Sequence, residues 1–294
     1  MNNNIANKRK YIPWIFIPCV LAFVIQFLIS IFVMEGGVVY AIGTFRGTTW
    51  DDMMDYVFNV MLSSVSNGLI YVLYSVVGIV LFLLCYNALF MEGRTYKLKG
   101  ISNNVPLTIV GLILFCIGMQ YVSIYLMNAL AAAFPAWLEE YNQIMEAAGL
   151  DEEISVLMLL YAMILGPIVE EFIFRGLTYS AARKVMPYYL AIVVQALLFG
   201  AFHMNPIQSC YAFVLGLGMG YIMYLYDNIL LTIAIHIAYN FIGIFFTDAL
   251  PLGGDTLISF FLFTLFALVI SYLGLVLLRK GAASVKEETD FADI

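Results

Sequence analysis

Residues 185–226 read VMPYYLAIVVQALLFGAFHMNPIQSCYAFVLGLGMGYIMYLY, without one Asp, Glu, Lys or Arg. A transmembrane helix needs about 20 apolar residues, and this run is about twice that long. His203-Met204-Asn205-Pro206 supplies a turn in its middle, so the run reads as two spans. The rest of the chain agrees. Of 294 residues, 63% are hydrophobic and 11% charged, with a mean hydropathy of +0.95. Soluble domains carry roughly 45–50% apolar and about 25% charged residues, so a water-soluble fold could not hide this composition.

The fold class is therefore all-α: a polytopic membrane protein of about eight transmembrane helices. The uncharged stretches place them at about 11–34, 68–91, 105–134, 154–178, 187–203, 206–226, 228–246 and 256–278. The first span follows Lys8-Arg9-Lys10. It is too long for a signal-peptide core and lacks a small-residue cleavage site, so it reads as an anchor. A further apolar stretch around Tyr56–Leu62 reads as an interfacial helix, and the tail after Lys280 as disordered. No sequence repeat and no soluble domain is visible.

Charge is read by side rather than by the net value of −7. With the N-terminus inside, the cytoplasmic segments receive Lys8, Arg9, Lys10, Arg94, Lys97, Lys99, Arg183, Lys184, Arg279, Lys280 and Lys286. Only Arg46 falls outside, and Arg175 lies within a span. The outer loops 35–67, 135–153 and 247–255 collect most of the acids, among them Glu139, Glu140, Asp151, Glu152 and Glu153. Both termini are thus expected in the cytoplasm. No basic patch suggests nucleic acid. Cys19, Cys85, Cys116 and Cys210 lie in apolar stretches without metal-like spacing, and read as small packing residues.

Within the expected spans the acids are Glu170 and Glu171, and the one basic residue is Arg175. Each ionisable group near the bilayer centre costs roughly 2.5–3.5 kcal/mol, so something must offset or use them. Glu171 and Arg175 are four apart with the acid N-terminal, the favoured order for a helical ion pair. Glu170 points about 100° away and is left available. The two histidines, His203 and His236, also lie in or at the edge of spans.

Glu170 is 16 residues before Met186 and His203 is 17 after it. In an antiparallel hairpin both then sit roughly 24 Å along their helices, at similar depth. His236 and Asn240 are four apart and share a face. Glu170, His203, His236 and Asn240 thus form a candidate constellation. One carboxylate and two imidazoles can bind zinc and leave a position for water. Without metal, Glu170 and His203 can deprotonate a water while His236 and Asn240 donate to an oxyanion. The plainer readings are a structural ion pair, packed histidines, and a Phe199 that is ordinary aromatic packing. Asn205 belongs to the turn, and Gln120 and Gln195 are polar residues within spans.

Glu170-Glu171-Phe172-Ile173-Phe174-Arg175-Gly176 matches E-E-x-x-x-R with an F-R-G ending. Phe199-Gly200-Ala201-Phe202-His203 matches F-x-x-x-H, and His236-Ile237-Ala238-Tyr239-Asn240 matches H-x-x-x-N. In this order and spacing they resemble the CPBP family, the CAAX proteases and bacteriocin-processing enzymes. The resemblance covers about residues 154–246, a catalytic helical core between an N-terminal transmembrane region (1–153) and a final helix with tail (247–294). It implies an intramembrane endopeptidase acting on a membrane-associated peptide or protein, in a bacterial plasma membrane.

Glu170 would be the catalytic carboxylate and His203 would handle the water. His236 and Asn240 would stabilise the oxyanion, and Glu171 with Arg175 would hold the helix. The resemblance points to a metalloprotease, with zinc held by Glu170, His203 and His236, and leaves a metal-free glutamate mechanism as the alternative. Maturation of a peptide precursor or bacteriocin self-immunity fits better than processing of prenylated proteins. The alternative is a proton- or cation-coupled transporter using the Glu/His cluster as a relay.

Overall fold

The computed structural model describes residues 8–92, 94, 96, 102–147, 154–246 and 256–282. The expectations for Lys97, Lys99, Lys286, Asp151–Glu153, the loop 247–255 and the tail beyond 282 lie outside them. Among the described residues there is no strand, only an isolated bridge between Ser102 and Ala282.

The helices are α1 (Ile17–Thr44), α2 (Trp50–Met61), α3 (Ser64–Phe90), α4 (Val105–Ala133), α5 (Pro135–Ala147), α6 (Val156–Val185), α7 (Tyr188–Phe202), α8 (Pro206–Tyr226), α9 (Ile229–Phe246) and α10 (Leu257–Gly281). Seven of them are long and apolar enough to cross a membrane, which makes the protein multi-pass. The expected eighth, α7, has 15 residues and rises only about 22 Å. It stops where the Met204 backbone turns left-handed, at φ 54°, and Asn205 caps α8 by accepting from the Gln208 N–H at 3.0 Å. Asn205 is thus a turn residue, as read.

The first span also differs from expectation. Helix α1 continues through Glu35-Gly36-Gly37 to Thr44, so Glu35 lies inside it. Glutamate is a good helix former, and a helix already ten or more residues long carries two glycines at roughly 1 kcal/mol each. Helix α2 is the expected amphipathic segment, capped by Thr49 accepting from the Asp52 N–H.

Inter-helix contacts fix the two ends of the bundle. At one end the Asn103 N–H donates to Gly281 O at 2.8 Å, and the Tyr226 hydroxyl donates to Leu278 O at 2.8 Å. Arg94 pairs with Asp227 there at 2.6 Å. This end carries Lys8, Arg9, Lys10, Arg94, Arg183, Lys184, Arg279 and Lys280. At the other, Asn67 of α3 donates to Ala147 O of α5 at 2.9 Å, and Ser155 donates to Ser64 O. That end carries α2, α5 and the 203–205 turn.

Two apolar clusters fill the bundle. One gathers α4, α8, α9 and α10 around Phe115, Met119, Met219 and Ile235. The other gathers α1, α3, α6 and α7 around Tyr74, Phe82, Phe174 and Phe199. Helix α10 docks on α4 through glycines spaced by seven on each helix, Gly111 and Gly118 against Gly274 and Gly281. A Cβ at Gly274 would meet the Phe115 backbone nitrogen at 2.6 Å, and one at Gly118 the Ser271 nitrogen at 2.6 Å. The helices touch backbone to backbone, as small-residue seams in membranes do. Gly274→Leu is expected to cost about 1–3 kcal/mol by overpacking, read as a lower melting midpoint in detergent.

Candidate active site

Helix α6 is π-helical over Tyr161–Leu165 and Phe172–Tyr179, on either side of the two glutamates. Such bulges shift the helical register and occur often at functional sites. The upstream one has a visible cause. The Gly166 N–H reaches back five residues to Tyr161 O, and Pro167 has no N–H to give to Ala162 O. Gly166 is small enough to lie under the Tyr161 ring, which a Cβ would approach to 3.1 Å. The Ala162 carbonyl is satisfied from another helix: Asn240 Nδ2 of α9 donates to it at 2.8 Å.

Arg175 Nη1 donates to Glu171 Oε1 at 2.9 Å, and both side chains are 0% exposed. This is the expected structural pair. The same Glu171 oxygen also takes His236 Nδ1 at 2.8 Å. His236 Nε2, on the other side of the ring, lies 3.7 Å from Glu170 Oε2. One imidazole therefore lies between the adjacent carboxylates, hydrogen-bonded to Glu171 and close to Glu170, which long side chains allow although their Cα positions diverge by about 100°. The contact to Glu171 is not among the sequence-based expectations. Phe199 ties the group together: the Arg175 guanidinium lies 4.4 Å above its ring, and the rings of His203 and His236 meet it edge-on at 5.1 and 5.8 Å. It is more than ordinary packing.

These contacts set the tautomers. His203 Nδ1 sits 2.9 Å from the Phe199 carbonyl, which can only accept, so Nδ1 carries the hydrogen and Nε2 is left free. His236 Nδ1 likewise donates to the Glu171 carboxylate. A neutral His236 then presents a lone pair at Nε2; it donates there only as the imidazolium.

Glu170, His203, His236 and Asn240 all line one cavity of about 540 Å³. Glu170 and His203 thus reach the same cavity. Other lining residues carry no motif: Gln120 and Ser123 from α4, Tyr141 from α5, Tyr161 and Tyr211. Gln120 donates to Tyr239 O and Ser123 hydrogen-bonds the Tyr239 hydroxyl, fixing the wall beside Asn240. Gln195, by contrast, is wholly buried and donates to Gly216 O at 2.7 Å, joining α7 to α8.

The donor set for zinc can be judged from this geometry. Among the described residues no three His, Cys, Asp or Glu side chains are grouped to hold a metal ion. Each imidazole gives Nδ1 to a protein acceptor and keeps the Nε2 lone pair, which is also how a metal-binding histidine is commonly held. As placed, Glu170, His203 and His236 are not grouped as three ligands around one point, while each keeps a donor atom that could take a metal.

Asn240 has a second use for its amide, and two variants separate the roles. Asn240→Ala is expected to orphan Ala162 O at about 1–3 kcal/mol. Adding Pro167→Ala restores a backbone donor and part of the stability, measured by thermal unfolding. Activity recovering together with stability would leave Asn240 a purely structural clamp.

Neither curated proteins nor solved structures give a match to the chain. Residues 152–242 match the type II CAAX prenyl endopeptidase family, Rce1-like. The matched stretch contains Glu170, Glu171, Arg175, His203, His236 and Asn240, and supports the CPBP resemblance and a protease at family level. Residues 152–242, set in a larger helical membrane protein, are thus similar to the CAAX-protease family.

Proposed function

We propose that the protein is an intramembrane endopeptidase that hydrolyses a peptide bond in a membrane-associated protein or peptide precursor, with Glu170 activating the water. The observation that carries this is the single cavity on which Glu170, His203, His236 and Asn240 converge, with Glu171 and Arg175 buried directly behind. Glu170 Oε2 takes a proton from water as its oxygen attacks the scissile carbonyl, and His203 Nε2 accepts the water's second hydrogen bond. The oxyanion forms opposite the N–H of Asn240 that Ala162 does not use, with His236 beside it, donating when protonated. Glu170 then returns its proton to the departing amine as the carbon–nitrogen bond breaks.

The positive-inside rule supports an orientation with the basic end and both termini in the cytoplasm; the bacterial plasma membrane is part of the proposal, carried by the family resemblance. Comparing peptide termini in host membranes and medium between wild type and Glu170→Gln, at matched expression, tests the activity. New termini seen only with wild type are expected. Identical termini would shift weight to a transporter or to a peptide-binding scaffold.

A further inference from the structure

The cavity is one-sided. Helices running toward the basic end line it with their beginnings, Tyr161–Glu170 of α6 and Gln208–Leu215 of α8. Helices running away line it with their later halves, Gln120–Met127 of α4 and His236–Ile244 of α9. Behind Glu170, toward the basic end, the protein is closed: Glu171, Ile173, Phe174, Arg175 and Leu177 are each 0% exposed. A peptide therefore reaches Glu170 from the end that bears α2, α5 and the 203–205 turn.

Helix α5 stands over that approach. Tyr141 and Met145, four apart and on one face, line the cavity, and the Tyr141 hydroxyl hydrogen-bonds Tyr211 of α8. Its opposite face exposes Glu139, Glu140, Asn142, Gln143 and Glu146 to solvent. An amphipathic helix in this position covers the opening without filling it.

Resting on the endopeptidase reading, we infer that the substrate is presented from the face opposite the basic end and passes beneath α5. With the basic end in the cytoplasm, that face is extracytoplasmic. The substrate class is then the outward segment of an exported or membrane-anchored polypeptide. The cytoplasmic tail of a protein lies on the wrong side.

Cysteine accessibility in intact cells tests this. In a background with Cys19, Cys85, Cys116 and Cys210 replaced by Ser, Gln208→Cys probes the cavity and Lys184→Cys the basic end. A membrane-impermeant maleimide is expected to label Gln208→Cys in intact cells and Lys184→Cys only after permeabilisation. Labelling of Gln208→Cys only after permeabilisation, or not at all, overturns the inference, as does labelling of Lys184→Cys in intact cells. Met145→Cys repeats the cavity test where the α8 variant does not accumulate. Adding Glu170→Gln leaves the expected labelling unchanged, so the face and the peptidase chemistry fail independently.

Discussion

Glu170→Gln is expected to lower kcat/KM for peptide cleavage by about 10²–10⁴-fold while the protein folds and melts as wild type. The substitution keeps the shape of the side chain and removes its ability to take a proton. Little structure depends on that carboxylate: it faces the cavity, and His236 Nε2 stands 3.7 Å from it, beyond hydrogen-bond range. Purified protein reconstituted in vesicles, assayed for cleavage and for thermal unfolding, gives both readouts. Undiminished cleavage removes Glu170 from the chemistry. Lost folding instead makes it a structural residue.

Arg175→Ala should do the reverse. Removing one partner from a buried ion pair leaves an uncompensated charge, here on a Glu171 that is 0% exposed, at about 3–5 kcal/mol. The guanidinium also loses its place on Phe199, whose ring meets the imidazoles of His203 and His236. The expected result is a sharp fall in folded protein recovered from membranes, measured by size-exclusion profile. The pair Glu171→Gln with Arg175→Met removes both charges and is expected to regain part of that loss. Recovery stays incomplete, because Glu171 also holds His236 at 2.8 Å. An Arg175→Ala protein that accumulates as wild type would show that the pair does not hold α6.

Much of this site is legible in the residues because helix geometry is periodic. Four-residue spacing gave the Glu171–Arg175 pair, and counting from Met186 put Glu170 and His203 at one depth. What stayed hidden depends on side-chain reach and on register. Nothing in the sequence says that His236 turns one nitrogen to Glu171 and the other toward Glu170, since that follows from how α9 lies on α6. The π-helical stretches leave only Gly166-Pro167 as a trace. Gln120, Ser123 and Tyr141 reach the cavity from the N-terminal region, whose packing no motif announces. Hydropathy marked α7 as a span because it registers apolar residues and not the length of helix they form.

That short helix has a consequence for the lipid. Fifteen residues rise about 22 Å where a hydrocarbon core measures about 30 Å, and the helix ends at the His203 turn. Lipid beside this turn must thin, or headgroups and water must sink to meet it, at fractions of a kcal/mol per ångström of mismatch. The hydration of the His203 imidazole is then set partly by the membrane. Shorter acyl chains lower the cost of bringing water to His203, and longer, saturated chains raise it, which makes bilayer composition a rheostat on the proposed hydrolysis.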